Sequence, residues 1–294
     1  MAIKLNVMNL VTNLAITAKG LTTSKFSGNY KSAYKGYGLE FEGFRKYQPE
    51  DDSSLIDWKA SARSNELLIK EFREERGLEI YFLFDVSNSM LFGSTKKLKS
   101  EYAAELVASL AFTASQNDDA IGIGMFNDKI IRGLKPETGE KQYYQILGCL
   151  TNNKLYGGRY DLSKAFEFVL QFLEEGGVLF IVSDFIGMKK GWDLELKKLT
   201  SKFDVIACMV RDPRDRELPD DSSDIVVESP YTSEKMTIQP KSISRKYNSY
   251  VRKQEAELEK IFREAGAEFI SFSTDKDFLN PLIKMFKRRE AQYH

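Results

Sequence analysis

Histidine is nearly absent from this 294-residue chain: the one copy is His294, the final residue. That excludes a Ser-His-Asp triad, a Cys-His pair, a histidine-rich metal site and an internal histidine base. Cysteine is scarce too, and Cys149 and Cys208 are too few for a disulfide framework or a cysteine-based zinc site. Neither sign of charge is in excess, 43 Lys plus Arg balancing 43 Asp plus Glu, so no global field favours nucleic acid. Long apolar runs are missing. Val178 to Val182 falls far short of a membrane span, and Met1 to Leu21 is broken by Asn6, Asn9, Asn13 and Lys19, with no apolar core for a signal peptide. A Gly-x-x-x-x-Gly-Lys-Ser/Thr loop is also lacking, so the chain is not expected to hydrolyse ATP itself. These absences predict a soluble, cytoplasmic protein of a reducing compartment, with no membrane span and no nucleic-acid partner.

What is present is globular composition: 42% hydrophobic and 29% charged residues, enough to bury a sizeable core. Residues 1–77 read as a small β-rich N-terminal lobe, because Gly28, Gly36 and Gly38 interleave with Tyr30, Tyr34 and Tyr37 as turns between short strands do. Residues 78–294 read as one α/β domain. Ile80 to Phe84, Ala120 to Phe126, Val178 to Val182, Val205 to Val210 and Phe269 to Phe272 have the near-continuous apolar character of strands covered on both faces, and Ile130-Ile131 suggests a short further strand. Helical periodicity lies between them. Leu98, Tyr102, Leu106 and Leu110 recur at four-residue spacing, followed by 140–150, Leu162 to Leu173, Leu194 to Leu199, Arg245 to Ala265 and a C-terminal helix. Such alternation implies a mostly parallel sheet with helices on both faces. Residues 213–241 interrupt it. They hold four of the seven prolines and read as an inserted arm in which Asp224 to Glu228 pairs with Met236 to Ile238 as a hairpin.

The segment richest in chemistry is Asp85-Val86-Ser87-Asn88-Ser89-Met90, directly after the first buried strand. In open α/β sheets ligands bind outside the carboxyl ends of the strands. One carboxylate and two hydroxyls in one turn are hard oxygen donors that suit Mg2+ or Mn2+. Val182-Ser183-Asp184-Phe185 supplies a second acidic strand end, and Gly157-Gly158-Arg159-Tyr160-Asp161 precedes the Leu162 helix. Three loops at one sheet edge can thus converge on an oxygen-rich site. Capping and turn chemistry offer a plainer account of Asp85, Ser87 and Ser89, and Asp161 reads as the N-cap of the Leu162 helix.

Strand, Asp-x-Ser-x-Ser, long helix, glycine loop and strand-Ser-Asp, in that order, resemble a von Willebrand factor A-type domain with a metal-ion-dependent adhesion site. The resemblance implies that Ser87 and Ser89 coordinate a divalent cation and that Asp85 and Asp184 hold it through water. Tyr160 stands where that family has a threonine, and Asp161 is the candidate substitute ligand. Upstream, Glu40-Phe41, Arg45, Tyr47, Asp51-Asp52, Ile56-Asp57-Trp58-Lys59 and Ala62-Arg63 are similar to the signature of the family named domain of unknown function fifty-eight, as is Arg211-Asp212-Pro213 with Glu217-Leu218-Pro219. Glu50 departs from that pattern, which has Gly there. Members carry a von Willebrand A-like domain after this signature and are often encoded beside MoxR-type AAA+ ATPases. The resemblance therefore implies a non-enzymatic adaptor that works with such an ATPase in chaperone-like assembly or maturation of an unspecified client protein. Two rivals remain: a metal-free scaffold with Tyr160 marking a degenerate site, and a Mg2+-dependent hydrolase using Asp85.

Other residues have structural expectations. Arg45, Asp51, Asp52, Asp57, Trp58 and Arg63 are expected to hold the small lobe onto the main sheet through charge-assisted hydrogen bonds. Ser94 is expected to cap the long helix, Lys284, Lys287, Arg288 and Arg289 to form a solvated helix end, Cys208 to lie inert in the core, and Tyr160 to be exposed for packing or a partner.

Overall fold

The computed structural model describes residues 39–48, 51, 53–64, 66–74, 77–189, 191–219, 223–232 and 234–292. Glu50, Asp52 and the glycine–tyrosine stretch before residue 39 lie outside the described residues. The first elements pair with each other: β1 (Leu39–Lys46) and β2 (Leu68–Glu74) are antiparallel, with α1 (Trp58–Ser64) between them. The chain continues as β3 (Glu79–Asp85), α2 (Lys99–Ser115), β4 (Ala120–Phe126), β5 (Ile130–Glu137), α3 (Glu140–Leu150), α4 (Leu162–Phe172), β6 (Val178–Ser183), α5 (Trp192–Thr200), β7 (Asp204–Arg211), α6 (Pro213–Arg216), β8 (Ile225–Glu228), β9 (Lys235–Ile238), α7 (Pro240–Glu264), β10 (Glu268–Ser273) and α8 (Leu279–Gln292).

The six-stranded sheet has the order β10-β7-β6-β3-β4-β5, parallel throughout except for the edge strand β5. The unbroken apolar character of β3 follows from its place near the middle. Ile80, Phe82 and Phe84 enter one core with Leu106, Val107 and Leu110 of α2, while Tyr81 and Leu83 enter a second with Phe166 of α4 and Phe262 of α7. Both faces are covered, so alternation between polar and apolar residues never develops. From β3 the chain crosses to β4 on one side and later returns to β6 on the other. That reversal makes β3 and β6 a topological switch point, where the connections part and leave a crevice beyond the carboxyl ends. The fold is α/β, a mostly parallel sheet with helices on both faces, and the small strand pair precedes it. The 213–241 arm carries β8 and β9 as an antiparallel hairpin, as the sequence predicts.

Several boundaries differ from expectation. β5 extends over Ile130–Glu137 and accommodates Pro136 because an edge strand leaves one side unpaired. Helix α7 begins at Pro240, whose fixed φ suits a first turn, so this proline opens a helix instead of ending the arm. Helix α2 begins at Lys99 and is capped by Glu101, which accepts the Leu98 amide at 2.8 Å. Ser94 is not its cap; its amide and hydroxyl both donate to Asp212, at 2.7 and 2.5 Å. The basic end of α8 is also not simply solvated. Arg289 is buried and binds Glu268 and Asp204, the acidic residues that open β10 and β7, and Arg288 adds a bond to Glu268. A helix packed against those strand starts must pair any guanidinium it buries. Cys208 is core, with burial pushing its thiol well up.

Removing one partner from a buried ion pair strands the other charge. Arg289→Ala should therefore lower unfolding free energy by about 3 kcal/mol in urea titration, whereas Lys284→Ala, on the exposed side of α8, should change it by less than about 0.5 kcal/mol.

Candidate functional site

Strand register brings the two predicted carboxylates together. Phe84 pairs with Val182, so Asp85 and the Ser183-Asp184 step emerge side by side at the switch point, and Asp85, Ser183 and Asp184 have no exposure at all. Asp85 Oδ1 accepts the Ser87 amide at 2.8 Å, and its Oδ2 accepts the Ser183 hydroxyl at 2.7 Å. Asp184 Oδ1 accepts the Ile186 amide at 2.9 Å. Its Oδ2 meets the Lys99 ammonium at 2.7 Å, and the same ammonium reaches Asp215 Oδ2 at 2.8 Å. Lys99 is itself buried. Burial works against its charge, but Asp184 and Asp215 prevail and hold its pKa above the ordinary lysine value. Among the described residues no cation pairs with Asp85. Burial, reinforced by the charge of Asp184, pushes its carboxyl up to about 7.

The two serines face a common point. Their hydroxyls are 3.2 Å apart, and the Tyr231 hydroxyl lies 2.9 Å from Ser89 Oγ and 3.3 Å from Ser87 Oγ while also bonding the Ile186 carbonyl at 3.1 Å. Between the serines, Asn88 joins two neighbouring loops. Its side chain donates to the Pro230 carbonyl at 2.9 Å and accepts the Gly158 amide at 2.8 Å. Gly158 must be glycine: its φ is +100°, and a Cβ there would lie 2.3 Å from Asn127 Nδ2. Asp161 caps α4 as expected, accepting the Lys164 amide at 3.4 Å, and is also bound by Lys189 at 2.8 Å. Tyr160 is not exposed. Its ring is buried against Phe126 and its hydroxyl pairs with Ser183 at 3.2 Å, because the loop turns it beneath the strand ends.

These residues partly fit a hard divalent cation. Two converging hydroxyls backed by two buried carboxylates are the right donor type. Tyr160 and Asp161, however, are engaged elsewhere, and Lys99 already neutralises Asp184. Among the described residues no cluster of three or more histidine, cysteine or carboxylate side chains offers an alternative. The donor set therefore suits a weakly held ion.

Among the described residues, the ion pairs seen for the upstream signature lie within the small lobe. Arg45 grips Asp51 through two bonds of 2.7 Å and holds its carboxyl down at about 2. Asp57 caps α1 through the Lys59 and Ala60 amides and lies 3.4 Å from Lys70. The Tyr47 amide bonds the Leu67 carbonyl at 2.8 Å, while Glu40 and Phe41 lie in β1 opposite Arg73 and Phe72. Trp58 and Arg63 are exposed on α1. Short local connections explain this: β1, α1 and β2 satisfy one another before the chain reaches β3.

A family model described as a protein of unknown function, DUF58, matches residues 43–257. The chain belongs to the DUF58 family. This DUF58 protein is 26% identical over 280 residues to the uncharacterized protein Rv1480 of Mycobacterium tuberculosis, covering 94% of this chain and 87% of that one. It is 32% identical over 79 residues to the uncharacterized protein YeaD of Bacillus subtilis, 27% of this chain and 18% of that one. Among solved structures, an aerotolerance-related membrane protein from Bacteroides fragilis superposes with a TM-score of 0.52 at 17% identity, over 74% of this chain and 100% of that one, a likeness of fold.

Lys99, Asp215 and Tyr231 were not anticipated as part of this site. Lys99 alone leaves a trace in the sequence, since a lysine in the first turn of a helix opposes the helix dipole and calls for a compensating anion. Tyr231 carries no such mark.

Asp85 also makes stability depend on pH. A carboxyl raised to about 7 in the folded state keeps its proton where the unfolded chain, at 3.8, has lost it. Wild-type stability should fall as pH rises from about 4 to about 7 and level off above. Asp85→Asn, which carries no charge, should gain on wild type over that window by up to about 4 kcal/mol. Urea titrations of both proteins at pH 4, 5.5, 7 and 8 check this; a constant difference would contradict it.

Proposed function

We propose that this DUF58 protein is a non-enzymatic, cytoplasmic interaction module that docks partners at the carboxyl edge of its sheet. The observation that carries the reading is the convergence of Ser87 and Ser89 on one point in front of Asp85 and Asp184. Family membership and the von Willebrand A-like fold support it. No helix among the described residues is long and apolar enough to cross a membrane.

In this reading Ser87 and Ser89 would hold Mg2+ or Mn2+, with Asp85 and Asp184 behind them. The ion would supply positive charge for a partner carboxylate. Ser183 and the Ser87 amide orient Asp85, the Ile186 amide and Lys99 orient Asp184, and Asn88 fixes the spacing of the loops. Without an ion, two buried carboxylates and one ammonium repel an incoming anion. The partner proposed is a MoxR-type AAA+ ATPase, and the process is chaperone-like assembly or maturation of a client protein.

One observation favours a second reading, a metal-free docking surface: the Lys99 ammonium already supplies a cation at Asp184. The two readings separate in a melting-temperature titration with Mg2+ and Mn2+. An ion that binds only the folded state adds roughly 2.7 kcal/mol at about 100 times its dissociation constant. A saturable rise in wild type that disappears in the Ser87→Ala, Ser89→Ala double variant supports the cation; a flat response in both selects the metal-free surface.

The docking site itself is tested by binding the MoxR-type ATPase to wild type and to the same double variant. Serine variants are preferable to chelation, because the ATPase needs Mg2+ for its own nucleotide. A loss of at least about tenfold in affinity is expected. Undiminished binding by the variant would remove these serines from the interface, and no binding by wild type would remove this partner.

A further inference from the structure

We propose that Tyr231 is an intramolecular plug, holding the tip of the β8–β9 hairpin closed over Ser87 and Ser89. The inference rests on the reading of those serines as the docking site, and it assigns that site a closed state and an open state.

Chain connectivity does not account for where Tyr231 sits. It lies 142 residues beyond Ser89, in the turn between β8 and β9, yet its hydroxyl reaches both serines and the Ile186 carbonyl. The surface under its ring is shaped to receive it. Gly187 adopts φ +83°, and a Cβ there would stand 2.6 Å from Tyr231 Cε2, so any side chain at 187 would push the ring away. The residue before Tyr231 is fastened independently, since the Pro230 carbonyl accepts the side chain of Asn88, the residue between the two serines. The closure is chemically matched as well. A phenol hydroxyl adds no charge beside Asp85 and Asp184, where an additional carboxylate would be repelled.

The base of the arm is anchored, Asp215 to Lys99 and Arg216 to Glu255 and Ser271, whereas the hairpin beyond it is lightly built among the described residues. β8 and β9 have four residues each and form a two-stranded sheet that joins no other strand among the described residues. Isolated hairpins of that size are marginally stable in water. Val226 and Met236 remain 65% and 64% exposed, so apolar burial by these two side chains is slight. Closure of the hairpin tip therefore depends on the hydrogen bonds of Tyr231 and Pro230 and on one ring lying over the docking residues. A group that is to reach both serine hydroxyls must displace the Tyr231 hydroxyl from between them.

The test uses the whole chain and the conservative substitution Tyr231→Phe, which keeps the ring on Gly187 and removes only the hydroxyl. Hydrogen exchange is followed at the amides of residues 225–238, with β3 and β6 as internal references. The expected result is exchange at least about tenfold faster in the arm of Tyr231→Phe and unchanged exchange in β3 and β6. Equal arm exchange in the two proteins would overturn the plug. A parallel Mn2+ titration reports separately on the docking reading. If neither protein binds Mn2+, the ion is removed from the site while the exchange result still decides the plug. If both bind Mn2+ equally tightly, the hydroxyl does not compete for the serines and the plug is overturned.

Discussion

Two carboxylates, Asp85 and Asp184, are buried at the ends of adjacent parallel strands with one ammonium, Lys99, to compensate them. Placing like charges together in a desolvated position is costly, and the surrounding loops can be understood as the response. Ser183 and the Ser87 amide bind one carboxylate; the Ile186 amide and Lys99 bind the other. Lys99 is in turn tied to Asp215, whose carboxylate also accepts the Asp212 amide. Asp212 then holds Ser94 and Thr274. The loops after β3, β6, β7 and β10 are thereby linked through one chain of charge-assisted bonds.

That linkage has a consequence for how the site would respond to a ligand. Asp85 remains the unbalanced member, and a positive charge close to it would relieve the strain that raises its pKa. Lys99 meets the need only at Asp184. The arrangement is thus poised between a scaffold complete in itself and a site that accepts one more cation. Tyr231 belongs to the first state, because it satisfies the serine hydroxyls without adding charge.

The small lobe obeys a different logic. Its ion pairs close over short sequence distances, as Arg45 with Asp51 illustrates, and they stabilise β1, α1 and β2 as a unit. The signature residues Arg45, Asp51 and Asp57 are thus occupied in capping and pairing. The DUF58 family model, which matches residues 43–257, spans both the lobe and the sheet.

The sequence alone determined the alternation of strands and helices, the doubly covered strands, the hairpin in the arm and the serine-aspartate turn at the switch point. Each of these depends on neighbours within a few residues, through periods of two or 3.6 or through the local chemistry of a turn. Asp161 as a helix cap was legible for the same reason. Only the tertiary structure decided that Lys99 meets Asp184 across 85 residues and that Tyr231 covers Ser89 across 142. It also turned Tyr160 inward, drew Ser94 away from the helix to Asp212, and buried Arg289 between Asp204 and Glu268. These pairings follow from strand order, which places the end of β3 beside the end of β6 and brings distant loops over both. Local periodicity carries no information about that order, and so the residues that complete the site could not be read from the chain.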